Sequence, residues 1–334
     1  MDLEKFHPNI THFLTDLEEA HPSKVKGLVK MHKAARPDGK HGIRLLLASC
    51  GTPTAPASKF LQQAIAHIFP LLLMKDTKAV LQKIKCINDN HPDGLPESTI
   101  NVGCDVKNMF GSIDQEHGMQ ALKHWLELHP NPDNLPTALL LDLARICLQE
   151  NCAEFLGRFF NPNTGTATGP AHACDFCDIA MAPLDEEMEQ QLELAGVEHE
   201  GWTIFRDDGW LVLLNGMQDV QVVEETLAGL HPSIQWEVNP RGPTAPPVVG
   251  ADGVVVDTTR LEHLDLTIHL VDGKLETDLF AKDVPNYVSR RSCHPPATFS
   301  SMAKAVLAGA EGAHHPVPDL HHTLHNILHH LSMW

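Results

Sequence analysis

The sequence predicts an α+β fold, and three observations carry that prediction. Apolar runs of strand length alternate with longer stretches in which apolar residues recur every three to four positions, the period of a helix. Some strand candidates are adjacent, as where Trp202-Thr203-Ile204 and Trp210 to Leu214 flank Phe205-Arg206-Asp207-Asp208, which argues for hairpins and an antiparallel core. At 334 residues and 43% hydrophobic content, the chain can bury a sizeable core divided among two or three subdomains.

Residues 56–88 read as two helices, Ala57 to Leu73 and Thr77 to Ile87, broken at Lys75-Asp76-Thr77. A loop with two prolines and a glycine follows over 90–98, and then the apolar stretch Ile100 to Cys104 closes on Asp105. Asp114 to Leu128 and Pro136 to Glu150 read as helices, the second opened by its proline. Ala153 to Phe160 reads as a hairpin turning near Gly157, and Phe176 to Met188 as an apolar-periodic helix. After the Asp-Asp hairpin come a helix over Asp219 to Leu230 and strands near 233–238, 254–256, 264–270 and 274–281. The four prolines of 240–247 predict an exposed loop.

Asp207 and Asp208 sit at a strand-turn-strand tip, where carboxylates reach the exposed end of a sheet and offer hard oxygen donors to Mg²⁺. Asp105 is a third acid at a strand end, and three such acids are the donor set of two-metal phosphoryl transfer. Taken alone, an Asp-Asp pair is ordinary turn chemistry. Between the two acid sites lies Gly165-Thr166-Ala167-Thr168-Gly169-Pro170-Ala171, a small-residue loop able to bring backbone or a helix start against a flat ligand or a phosphate. Acid strand, glycine loop with helix, then acid-acid hairpin is the order of a polymerase palm.

The chain also resembles, segment by segment, the reverse transcriptases of Penelope-like retroelements. GLVKMHK (27–33) resembles that family's LPKIHK, and IRLLLASCGTPTAPASKFL (43–61) its RPIVSSIGSPTYxLSKFL. VGCDVKNMFGSID (102–114) is similar to TLDVxSLYTNI, and residues 151–181 to NYFxFxGxxYxQxxGTAMGxxxAPxxANLFM with the glycines in register. WTIFRDDGWLVL (202–213) resembles WxRYIDDIFxIW, LHPSIQWEVN (230–239) resembles LHPTIKFTxE, and residues 261–296 resemble FLDLxIxxxDGxLxTxxYxKPTDxxxYLxxxSxHPP. The resemblance runs collinearly from about residue 20 to about residue 305.

It implies a right-hand polymerase fold: N-terminal helices and fingers over 1–100, a ferredoxin-like palm over 101–272 with a helical and hairpin insertion at 114–164, and a short or divergent thumb over 273–334. It implies RNA-directed DNA polymerase activity, with Asp105, Asp207 and Asp208 catalytic and holding two Mg²⁺, or Mn²⁺. It places Lys30, Lys33 and Arg44 at the incoming triphosphate and Phe110 beneath its sugar. Gly165, Thr166 and Gly169 shape the nucleotide surface, and Leu264 and Asp265 contact the primer. The implied partners are an RNA or DNA template with primer, and deoxynucleoside triphosphates.

Departures from the family pattern point elsewhere. Arg206 replaces the hydrophobe before the paired acids, where it either competes with metal for a carboxylate or, by strand alternation, faces away. Gln235 stands where the family has lysine. With 25 Lys and Arg against 43 Asp and Glu the formal charge is −18, although affinity for polyanions comes mostly from cations. A basic stretch survives, with Lys24, Lys26, Lys30, Lys33, Arg36, Lys40 and Arg44 in twenty-one residues against Asp38 alone. The alternative functions are a catalytically weak, domesticated palm acting as a binding protein, and a template-independent nucleotidyltransferase.

Cys174 and Cys177 fall on a helix without a second pair at zinc-ribbon spacing, and read as packed thiols. Seven histidines between His314 and His330 fit an amphipathic helix. No segment approaches the ~18 apolar residues of a membrane span, and the N-terminus lacks a secretory pattern. The expected location is intracellular, nuclear or cytoplasmic.

Overall fold

A computed structural model describes residues 20–29, 42–68, 76–249 and 255–280. Lys30, Lys33, most of the expected thumb and the histidine-rich stretch lie outside the described residues.

The centre is a four-stranded antiparallel sheet made of β3 (Ile100–Val106), β6 (His199–Phe205), β7 (Asp208–Leu213) and β8 (Trp236–Arg241). Its spatial order is β6-β7-β3-β8. Helices α3 (Met109–Ser112), α4 (Gln115–Leu128), α5 (Thr137–Gln149) and α6 (Ala173–Leu194) come between β3 and β6, and α7 (Val220–Leu230) between β7 and β8. That is the β-α-β-β-α-β arrangement of a ferredoxin-like sheet, with the first strand central.

Alternation sorts the strand residues onto two buried faces. Ile100, Val102, Cys104, Leu211 and Leu213 pack against Met188 and Leu192 of α6 and Val223 and Leu227 of α7. On the other side Trp210 and Val212 meet α2 (Thr77–Asn90) through Val80, Ile84 and Ile87. They also meet a small sheet of β11 (Arg260–His263), β12 (Leu266–Val271) and β13 (Lys274–Leu279) through Leu261, Leu266, Ile268 and Leu275. Each such side chain contributes ~1.5–3 kcal/mol on leaving water, so the sheet is held from both sides. A third cluster joins α1 (Ala55–Ile65), α4, α5 and α6.

Helix starts follow local chemistry. Asp76 accepts from the Ala79 amide at 2.9 Å, and Asp114 from the His117 amide at 2.8 Å, each capping its helix. A second sheet has the order β2-β1-β4-β5, from β1 (Ser23–Val29), β2 (Ile43–Ala48) and the hairpin β4 (Ala153–Phe155) and β5 (Arg158–Phe160). Two valine pairs, β9 (Val248–Val249) and β10 (Val255–Val256), form a short ribbon.

Two expectations are corrected. Proline 240 lies within β8, pairing across from Val102, because β8 is an edge strand with one unpaired side. The loop expected to begin there starts later. Leu264 and Asp265, which open the strand expected over 264–270 but which the family resemblance places in a turn, form the turn between β11 and β12; β11 itself is too short to stand out by periodicity.

Candidate functional site

The Asp-Asp hairpin closes with Phe205 opposite Asp208, leaving Arg206 and Asp207 as the turn. Arg206 has φ +59° whereas Asp207 is not left-handed, the φ pattern of a type II′ turn whose first central position favours glycine. A left-handed arginine costs ~1–2 kcal/mol and needs compensation. Its Nε lies 3.6 Å from Oδ2 of Asp178 on α6, and its guanidinium lies 5.5 Å from the Phe205 ring centroid. The Asp178 side chain is fully buried, and neither of its oxygens has a well-directed hydrogen bond. Burial pushes its carboxyl up to about 7, against the opposing pull of Arg206. Arg206 therefore engages neither paired acid through strand alternation; the turn aims it at the helix behind.

Asp105 lies directly opposite Asp208 across β3 and β7, and opposite Glu237 across β3 and β8. Directly paired residues share a face, so Glu237, Asp105 and Asp208 form an acidic row. Lys107 reaches Glu237 at 3.9 Å, and the Val106 amide donates to the Asp207 carbonyl at 2.7 Å, tying the turn to β3.

Asp208 faces the β11–β12 turn. The Leu264 amide donates to its Oδ2 at 3.3 Å, and Nδ1 of His263 lies 3.2 Å from its Oδ1. The His263 contact is electrostatic, since the ring nitrogens fall outside hydrogen-bond geometry. The His263 side chain is wholly buried. Asp265 accepts from the Thr77 hydroxyl at 3.3 Å, at the start of α2.

The glycine loop wraps the element after β3. The Gly165 amide donates to the Ile113 carbonyl at 3.0 Å and the Thr166 amide to the Phe110 carbonyl at 2.7 Å. Gly165 (φ +68°) has no room for a Cβ beside Phe110 and Gly111, and at Gly169 (φ +141°) a Cβ would run into the Leu47 carbonyl of β2. The Leu47 amide in turn donates to the Thr168 carbonyl at 2.8 Å. Thr166 is buried, and Phe110 is half-buried against the α1–α6 cluster. The close approaches that these glycines permit are thus to Phe110, Gly111 and β2. Arg44, on β2, is exposed and opposite Leu28, which puts it on the sheet face that carries Lys24 and Lys26.

The structure thus brings Asp105, Asp207, Asp208 and Leu264 to one end of the sheet and the glycine loop against Phe110. Sequence reasoning missed Asp178, His263 and Glu237. A charge inside the apolar run Phe176 to Met181 was a signal for Asp178; the other two needed the strand register.

Carboxylates are the oxygen donors that Mg²⁺ prefers. Among the described residues no three His, Cys, Asp or Glu side chains group to hold a metal; one Asp208 oxygen accepts from the Leu264 amide and the other lies 3.2 Å from Nδ1 of His263.

No family model matches the chain, and no curated protein matches it. Its fold is similar to that of a telomerase from Candida albicans, in complex with a fragment of telomeric RNA (TM-score 0.57, 12% identity, 78% of this chain and 47% of that one). It is likewise similar to an apo telomerase from Candida tropicalis truncated from its C-terminal domain (TM-score 0.53, 10% identity, 82% and 60%). A third likeness is to the RNA-dependent RNA polymerase of a human picobirnavirus (TM-score 0.52, 12% identity, 89% and 53%). This chain has a mixed α+β, polymerase-type fold. It spans about half the length of these proteins. Because the likeness reaches telomerases and an RNA polymerase alike, it is to the architecture and not to one family. Among the described residues no helix is long and apolar enough to cross a membrane.

Proposed function

We propose that this chain is a nucleic-acid-binding protein built on a polymerase-type palm, in which nucleotidyl transfer is weak. The observation that carries the reading is Asp208, whose two oxygens lie against the Leu264 amide and His263. The resemblance to Penelope-like reverse transcriptases supports reading the chain as a domesticated descendant of such an enzyme. A primed RNA or DNA template is its ligand, and deoxynucleoside triphosphates with Mg²⁺ or Mn²⁺ serve any residual synthesis.

The charge distribution supports polyanion binding despite the net −18. Lys24, Lys26 and Arg44 share one face of the β2-β1-β4-β5 sheet, and the register from Lys24 through Glu154 to Phe159 puts that exposed ring on the same face. Cations beside a flat aromatic suit phosphates beside stacked bases.

A second reading, an active reverse transcriptase, is favoured by the direct pairing of Asp105 with Asp208 and by Asp207 in the adjoining turn. Primer extension on RNA and DNA templates with Mg²⁺ or Mn²⁺, beside Asp207→Asn and alongside fluorescence anisotropy of the same primer–template, separates the two. Binding with little or no extension is expected. Processive extension that disappears in Asp207→Asn replaces the binding reading with the enzymatic one, and absence of binding sinks both.

A further inference from the structure

We propose that Asp208 is the anchor of the turn between β11 and β12 and not a metal ligand, with His263 and the Leu264 amide as the groups that hold it. Leu264 has φ +54°, a left-handed conformation that an L side chain adopts only where its surroundings enforce it. Its amide is therefore turned out of the ladder between β11 and β12, and it donates to Oδ2 of Asp208 at 3.3 Å. The neighbouring His263 is 1% exposed, and neither ring nitrogen has a well-directed hydrogen bond. A buried imidazole without a polar neighbour is costly, and the polar neighbour of this one is Oδ1 of Asp208, 3.2 Å from Nδ1.

The two contacts use one oxygen each. A cation drawing the carboxylate away would leave the Leu264 amide and the His263 ring without it. The Leu264 amide also offsets the like charge of Asp105 directly across the sheet. Around the turn, Asp265 is tied to Thr77, and its carbonyl accepts from the Phe280 amide at 2.8 Å. The turn is thus fixed to the acid hairpin on one side and to α2 and the end of β13 on the other. Fixing a backbone turn beside the hairpin tip positions it against a bound strand, a consequence that rests on the nucleic-acid-binding reading above.

The test compares Asp208→Asn with Asp208→Ala in the full chain. Asparagine keeps an oxygen for the Leu264 amide but loses the charge a metal needs; alanine loses both. Hydrogen exchange at Leu264 is expected to stay near wild type in Asp208→Asn and to rise by about tenfold or more in Asp208→Ala, the effect of one lost hydrogen bond. Mn²⁺ affinity, read by electron paramagnetic resonance, is expected to be equal in all three proteins, and primer–template affinity to fall in Asp208→Ala. Equal loss of Mn²⁺ affinity in both variants, or unchanged exchange in Asp208→Ala, overturns the proposal. If alanine prevents folding, Asp208→Asn decides alone: unchanged Mn²⁺ affinity supports the anchor and a large loss overturns it. If no protein binds nucleic acid, the functional reading fails while Leu264 exchange still decides the anchor.

Discussion

Arg206 at the tip of the hairpin and Asp178 on α6 form an ion pair at 3.6 Å, with the arginine 39% exposed and the aspartate side chain fully buried. The pair joins two departures from the reverse-transcriptase pattern. The arginine stands where that pattern has a hydrophobe, and the aspartate where it has asparagine. The left-handed turn and the buried acid are each unfavourable alone, and each makes the other tolerable.

Arg206→Ala is expected to destabilise the protein by about 1–3 kcal/mol, because it strands a buried carboxylate; the partial exposure of the arginine keeps the loss below that of a fully buried pair. Adding Asp178→Asn should recover most of it. Urea unfolding of both single variants and the double variant measures the coupling, and strictly additive effects would mean the pair contributes nothing.

The pH dependence of stability has a definite sign. Burial raises Asp178 and Asp185 from 3.8 to about 7, so between those values the folded state keeps protons that the unfolded chain has released, and stability falls as pH rises through that window. Burial lowers His172 from 6.5 to about 4, so there stability falls as pH drops. Relative to wild type, Asp178→Asn should gain stability progressively from pH 4 to 7. His172→Gln should gain as pH falls from 6.5 to 4. Melting temperatures across the range check both slopes.

Gly169→Ala should be severely destabilising, by about 2 kcal/mol or more, since it adds strain at φ +141° to a collision with the Leu47 carbonyl. Gly157→Ala, also left-handed at φ +73° but with open space around its Cβ position, should cost less. The difference between the two measures that collision together with the greater strain at φ +141°. Equal losses would show that the contact between β2 and the glycine loop contributes nothing.

The basic sheet face is tested by salt. Replacing Lys26 and Arg44 by alanine should reduce the slope of log K against log salt by about 0.9 for each lost duplex phosphate contact, or about 0.7 on single strands. Anisotropy titrations at several salt concentrations give the slope. An unchanged slope would move nucleic acid to another surface.

Much of the central sheet and its helices is legible in the chain itself. The helices after Asp76 and Asp114 begin where a capping carboxylate meets an apolar period, and the Asp-Asp hairpin turns where two strand-length apolar runs flank polar residues. The run of β8 through proline 240 was not legible, because an edge strand tolerates a proline that a central strand does not, and edge position is a property of the sheet order.

By itself the sequence determined the strand that ends on Asp105 and the hairpin that carries Asp207 and Asp208, because those choices rest on period and turn chemistry among near neighbours. Only the tertiary structure decided what the acids face. Asp105 meets Asp208 and Glu237 through strand register, Arg206 finds Asp178 across twenty-eight positions of chain, and Asp208 is claimed by His263 and Leu264 from a turn that pairing alone creates. A carboxylate's chemistry is set by the donors and charges within a few ångströms, and in this fold those come from segments distant in sequence.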